Sequence, residues 1–289
     1  MRLCILFLLF WITPIQAASA DTPIRFGLTA VIITENLRFL DQWSQYLEHK
    51  IGRKVEFVQR RSYREVMDLL ASGAIDFAWI CGYPYVQAKD SDLLQLLTVP
   101  IYRGSPHYHS YIIVHESSPY KRFSDLKGKS FAFSDPDSNS GFLYPLALIA
   151  KKGETPEHYF RQTFFTFNHA ETVQAVAEQV ADGGAVDSYI WEYIAVFRPQ
   201  ITEKTRIIKK SPSFGFPPIV NRMGVDAATV AQMRQTLEEM IDDINGKELL
   251  DRLKLDGFGS YSDSLFNEIR ALEHAVQRTN PRHSVVKTD

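Results

Sequence analysis

The eight residues Ser134-Asp135-Pro136-Asp137-Ser138-Asn139-Ser140-Gly141 gather hydroxyls, amides and backbone N–H groups between an apolar strand and an apolar helix. Such a corner suits a phosphate-like oxyanion. Helix N-terminal N–H groups are unpaired, hydroxyls add donors, and the helix dipole favours negative charge by roughly 0.3 to 1 kcal/mol. Plain N-capping by Ser138 or Ser140 accounts for the same serines without a ligand. Pro145 is tolerable only near the first turn of the helix, where its missing N–H is not needed.

Other chemistries can be assembled from the same chain. Ser140, His169 and Asp187 are the residue types of a nucleophile, a base and an orienting acid, as in a hydrolase, but no Gly-x-Ser-x-Gly elbow surrounds the serine. His107 and His109 alternate along one strand with His115 beyond, a pattern metal sites use. No Cys, Asp or Glu completes it at an obvious spacing, so neither a metal nor another cofactor is expected. Cys81 follows an apolar strand with nothing adjacent to depress its pKa and reads as a small core residue. Arg60-Arg61 reads as a solvated turn.

The elements that must position these residues alternate between strand and helix. Ile24 to Thr29 reads as a strand, followed by Leu37, Leu40, Trp43, Leu47 and Ile51 at helical spacing up to Gly52. Val55 and Phe57 mark a second strand, Tyr63 to Ala71 a helix closed by Gly73, and Ile75 to Ile80 a third strand, which together make a βαβαβ unit. A second unit runs through strand Ser130 to Ser134, a helix to Lys151, strand Thr163 to Phe167, a helix from Glu171 to Ala181, and Ala185 to Tyr189. Tyr108 to His115 and Arg206 to Lys209 are β-rich stretches suited to run from lobe to lobe. Ala227 to Leu255 is helical, and the C-terminal helices are expected to pack on the first lobe. Ligands of parallel sheets gather beyond the carboxyl ends of the strands. That selects Thr29, Ala30, Gln59 to Tyr63 and Gly82 to Tyr85 in one lobe. In the other it selects Asp135 to Gly141, Asn168, His169 and Asp187 to Tyr189.

Composition agrees with two globular lobes: 289 residues, 45% hydrophobic, 23% charged, with a formal net charge of -2 that offers no footprint for nucleic acid. Arg2, the apolar run Leu3 to Ile12, Pro14 and Ala18-Ser19-Ala20 read as an export leader, residues 1–20, cut after Ala20. The run is too short to span a bilayer. Cys4 would leave with the leader, so Cys81 has no intramolecular disulfide partner.

The corner resembles the Asp-Pro-x-Ser-Thr-Ser-Gly-x-x-x-Pro segment of periplasmic phosphonate- and phosphite-binding proteins of ABC transporters. Ser62-Tyr63-Arg64-Glu65-Val66, Gly73-x-Ile75-Asp76-Phe77-Ala78, Gly104-Ser105-Pro106-His107-Tyr108, Asp125-Leu126-Lys127-Gly128-Lys129, Asn168-His169-Ala170-Glu171 and Lys210-Ser211-Pro212 agree in order. The resemblance implies an α/β, two-lobed periplasmic binding protein fold of type II character, each lobe a mainly parallel sheet flanked by helices, joined by hinge strands. Lobe one is expected over 21–105 plus 218–289 and lobe two over 106–217. It further implies a monomeric, exported solute-binding protein with no catalysis, which hands a tetrahedral oxyanion to a membrane permease; a membrane sensor is the alternative partner.

Ser138, Asn139, Ser140 and Gly141 are then expected to hold the phosphonate oxygens, with Asn139 standing where the family has threonine. Tyr63, Tyr108 and His169 match ligand-contacting residues, and an imidazolium at His169 would tighten binding in mild acid. The positions that carry acids for an aminoalkyl group match Tyr189 and Pro217 here. Asp187 and Glu192 lie close enough to substitute, yet 2-aminoethylphosphonate is not the expected ligand. Phe214 and Phe216 would give the pocket an apolar wall.

Overall fold

The computed structural model describes residues 22–29, 37–89 and 91–279; the leader with its expected cut, and Ala30, lie outside them. Strand β1 (Ile24–Leu28) leads to α1 (Leu37–Ile51), whose Leu40, Trp43, Leu47 and Ile51 turn to the core as their spacing predicts. β2 (Val55–Gln59) lies parallel to β1, and after α2 (Tyr63–Ala71) so does β3 (Phe77–Trp79) on its other side. α3 (Gly82–Lys89) and β4 (Leu94–Ile101) follow.

The chain then leaves this sheet through β5 (His107–Tyr108) and builds a second one. It comprises β6 (Ser110–His115), β7 (Ser130–Phe133), α4 (Tyr144–Ala150), the short α5 (Pro156–Tyr159), β8 (Gln162–Phe165), α6 (His169–Ala177), β9 (Gly183–Asp187), α7 (Ser188–Phe197), the short α8 (Pro199–Thr202) and β10 (Thr205–Lys210). The strand order is β10-β6-β9-β7-β8. β11 (Phe214–Gly215) pairs antiparallel with β5, a ribbon through which the chain passes in both directions. Back in the first sheet, β12 (Ile219–Arg222), α9 (Ala227–Glu238), α10 (Ile244–Leu253), β13 (Gly257–Gly259) and α11 (Asn267–Thr279) complete the order β13-β4-β12-β3-β1-β2.

Several expectations change. Both sheets are mixed rather than mainly parallel, because the returning β12 enters antiparallel to β3 and β4, while β6 runs antiparallel to β9 and β10. The stretches thought to run between lobes are β6 and β10, which pair with each other inside the second sheet; Ile112, Ile113 and Val114 are fully buried there, as core strands are. The two-residue strands of the ribbon make the crossing instead. The long C-terminal helix divides where a turn at Glu239–Asp242 precedes Asp243, whose side chain caps α10. α9 and α10 pack on α1, but α11 packs on α3, on α4 and on the turn before α4, so it touches elements that follow both sheets.

Each sheet has an aromatic core, Phe26, Trp43, Phe57 and Trp79 in the first and Phe123, Phe131, Phe133 and Phe160 in the second. Among the described residues no helix is long and apolar enough to cross a membrane.

Candidate anion site

β7 ends at Phe133, and the chain turns into a π-helical turn over Asn139–Leu143. Ser138 caps this turn, its Oγ accepting the Gly141 N–H at 2.9 Å, while the Asp137 N–H returns to Asp135 Oδ1 at 2.8 Å. The π turn delays the start of α4, so Pro145 falls in its first turn, where no intrahelical N–H is required. Gly141 is needed for space, since a Cβ there would lie 2.5 Å from Ser134 Cβ. Capping accounts for Ser138. It does not account for Ser140, whose hydroxyl is buried without a hydrogen-bond partner.

Residues from the first sheet close over the corner. Ser62 and Glu65 form a reciprocal cap at the start of α2, which holds Tyr63 at the carboxyl end of β2. The Tyr63 N–H, which no helical carbonyl can reach, donates to Asp135 Oδ2 at 3.1 Å, and Arg64 pairs with Asp137 at 3.1 Å. Cys81 Sγ accepts the Asn139 N–H at 3.3 Å. From the ribbon, the Tyr108 hydroxyl accepts Asn139 Nδ2 at 2.9 Å. Three buried atoms around these contacts have no partner: Tyr63 Oη, Asn139 Oδ1 and Ser140 Oγ. A buried polar atom left unpaired costs about 1 to 3 kcal/mol, so three together mark a place shaped for a further polar group. Exchanging the ends of the Asn139 amide leaves one of its polar atoms unused either way. The Ser140 hydroxyl stands beside that of Tyr108 without hydrogen-bond geometry.

His169 begins α6, capped by Asn168. Its Nδ1 accepts the Asp187 backbone N–H at 3.1 Å and lies 2.8 Å from Ser134 Oγ, which places the proton of the neutral ring on Nε2, 3.5 Å from Ser138 Oγ. Full burial pushes its pKa down to about 3. The expected imidazolium is thereby corrected: His169 is a neutral donor. Asp187 ends β9 and caps α7, its Oδ1 accepting the Tyr189 N–H at 2.7 Å, and burial pushes its pKa up to about 8. The hydrolase arrangement does not form. His169 bonds the backbone of Asp187, not its carboxylate, and its Nδ1 faces Ser134, not Ser140.

The Tyr189 ring meets Tyr102 and Phe216 edge-on, and its hydroxyl donates to the Leu253 carbonyl at 2.7 Å. Phe214 and Phe216 flank Tyr108, which completes an apolar wall. Glu192 is not free to meet an ammonium group, because it accepts the hydroxyls of Tyr102 at 2.8 Å and Tyr111 at 2.6 Å and pairs with Arg103 at 2.7 Å. The Pro217 carbonyl is taken by Trp79 Nε1 at 2.9 Å.

A groove of about 710 Å³, lined in part by Thr29, Gln59, Arg60, Arg61, Phe167 and Asn168, opens between the two sheets but does not include Tyr63, Ser138 to Ser140 or Asp187. The unpaired atoms of Tyr63, Asn139 and Ser140 are buried away from its lining. His107, His109 and His115 bond to Ser105, to the carbonyls of Ser211 and Pro212, and to Ser117, and no group of three potential metal ligands occurs among the described residues.

One contributor escaped the reading of the sequence: Cys81 lies at the carboxyl end of β3, where the strand-end rule could have flagged it, whereas Ser134 and Asp135 fall within the corner already singled out.

Residues 34–266 match the family model for ABC transporter, phosphonate, periplasmic substrate-binding protein. The phosphonates-binding periplasmic protein of Escherichia coli is 26% identical over 269 residues, covering 90% of this chain and 79% of that protein. The phosphate-import protein of Mycolicibacterium smegmatis is 29% identical over 154 residues, about half of each chain. Among solved structures, a binding component of an ABC phosphonate transporter from Pseudomonas aeruginosa superposes with a TM-score of 0.82 at 22% identity, over 93% of this chain and 91% of that one. A Prochlorococcus marinus protein in complex with methylphosphonate gives 0.78 at 17% identity, over 89% and 98%.

Proposed function

The chain belongs to the family of periplasmic phosphonate-binding proteins that serve ABC transporters, and from that premise we propose that its sealed cluster holds the phosphorus oxyanion itself. The observation that carries this reading is the convergence of Tyr63 Oη, Asn139 and Ser140 Oγ, unpaired and buried, at one helix N-terminus. Tyr63, Tyr108 and Cys81 face the anion from one side. Ser138 to Gly141, the Nε2–H of His169 and Asp187 face it from the other.

The lobes are 21–105 with 218–289 and 106–217, the β5–β11 ribbon acts as hinge, and residues 1–20 are an export leader cut after Ala20. The protein works as a monomer that delivers its ligand to a membrane permease, without chemistry on the ligand. The aromatic wall of Tyr189 and Phe216 suits a hydrogen or a small alkyl group as the fourth substituent on phosphorus. Glu192 is already taken, so an ammonium group there would find no carboxyl but that of Asp187, which caps α7.

Calorimetry with methylphosphonate, phosphite, phosphate, sulfate and 2-aminoethylphosphonate tests the reading. Saturable one-to-one binding of methylphosphonate or phosphite, tighter than that of 2-aminoethylphosphonate, is expected. Binding of none of the phosphorus oxyanions would overturn it, and a preference for 2-aminoethylphosphonate would overturn the role given to the aromatic wall.

A further inference from the structure

Asp187 is a buried carboxyl set among groups that an anion would have to join. It ends β9 beside Ser110, and its side chain caps α7, accepting the backbone N–H groups of Tyr189 and Ile190. Its charge acts on the hydroxyls of Tyr63 on α2, Tyr108 on β5 and Tyr102 beyond β4, and on the thiol of Cys81. Each of these groups is held neutral by burial. On its own helix it faces Tyr189, also neutral, and Glu192, which is already paired with Arg103. His169 on α6 contributes a neutral ring. Asp135 acts on Tyr63 from the second-sheet side, where it holds the α2 N-terminus.

Among the described residues no lysine or arginine forms an ion pair with Asp187, and none is among the leading influences on Tyr63, Cys81, Tyr108, His169 or Asp187. Arg64, the cation near the corner, is half exposed and bonded to Asp137. A doubly charged ligand would therefore meet an ionised carboxylate with no compensating cation. Two like charges in a poorly hydrated site do not both persist; the pair retains one proton, as paired carboxylates do.

We propose that Asp187 and the bound oxyanion share one proton, so that the site accepts a phosphonate or phosphite only together with a proton, supplied by the ligand or by the carboxyl. This rests on the function proposed above. The proton bridges a ligand oxygen and the carboxyl, and when the dianion binds to ionised Asp187 it is drawn from solvent. Burial already pushes the Asp187 pKa up to about 8, with the charge of Glu192 adding to it. Above that pH both partners are ionised before they meet, and affinity falls with rising pH. Tighter binding in acid is also the direction a charged His169 would produce, but an imidazole held near 3 does not titrate in this window.

The experiment is calorimetry of methylphosphonate binding to the mature protein at about pH 9, where the free ligand is a dianion, in two buffers of different ionisation enthalpy. About one proton taken up per ligand is expected, with affinity falling about tenfold per pH unit above the higher of the two pKa values. Asp187→Asn and Asp187→Ser keep a capping side chain. Both are expected to take up no proton and to lose the pH slope, and either folded variant suffices. Zero uptake by the wild type would overturn the proposal, and so would an unchanged slope and uptake in a folded variant, which would leave Asp187 a helix cap alone. Failure to bind methylphosphonate at any pH would instead bring down the functional reading beneath it.

Discussion

Removing one oxygen from Tyr63 separates ligand contact from packing. The ring is fully buried and the hydroxyl has no protein partner. Tyr63→Phe is therefore expected to leave the melting temperature unchanged or raised while weakening methylphosphonate binding by roughly 10- to 100-fold, the worth of a hydrogen bond to a charged group. Thermal melts and calorimetry on the same preparation check both halves, and an unchanged affinity would remove Tyr63 from the site. The Ser138-x-Ser140-Gly141 corner was legible in the sequence because strand, turn and helix start lie within a dozen residues. The charge of His169 was not, because it depends on the Asp187 N–H and on burial supplied by distant segments. For the same reason Cys81 passed for core: its thiol meets the Asn139 N–H only once two lobes come together.

Helix α7 contributes two residues, Tyr189 and Glu192, that bond to elements of the first sheet. Glu192 binds Tyr102 and Arg103, which follow β4, and Tyr189 reaches the Leu253 carbonyl at the end of α10. These bonds tie a helix of the second sheet to elements of the first, as Tyr63–Asp135 and Arg64–Asp137 do at α2. The hydroxyl bonds to the Glu192 carboxylate are charge-assisted and contribute about 1.5 to 3 kcal/mol each, whereas the pairs made by the more than half-exposed Arg103 and Arg64 contribute less. Glu192→Gln is expected to speed release of methylphosphonate by roughly tenfold in stopped-flow displacement, with a smaller change in association rate. An unchanged release rate would show that closure does not depend on this contact. Helix periodicity disclosed α1, α2 and the amphipathic C-terminal stretch. It could not disclose that α11 leaves α9 and α10 to pack on α4, because an apolar face does not name the surface it covers.

At the scale of the whole molecule there are two mixed sheets, and the unpartnered polar atoms of Tyr63, Asn139 and Ser140 lie where residues from both meet. Alternating strands and helices made two α/β lobes readable. The antiparallel direction of five of the nine strand pairs in the two sheets was not, since it is set by where the chain re-enters each sheet rather than by any local pattern. The short β5–β11 ribbon leaves the two sheets few backbone ties, as a hinge requires. The central claim is that closure of the lobes seats a tetrahedral anion on Tyr63, Asn139 and Ser140. A crystal structure with methylphosphonate tests it most directly. Its oxygens are expected about 2.5 to 3.0 Å from Tyr63 Oη and Ser140 Oγ, with the methyl group toward Tyr189 and Phe216. Phosphonate density in the groove beside Arg60 and Arg61, with those hydroxyls still unpaired, would contradict it.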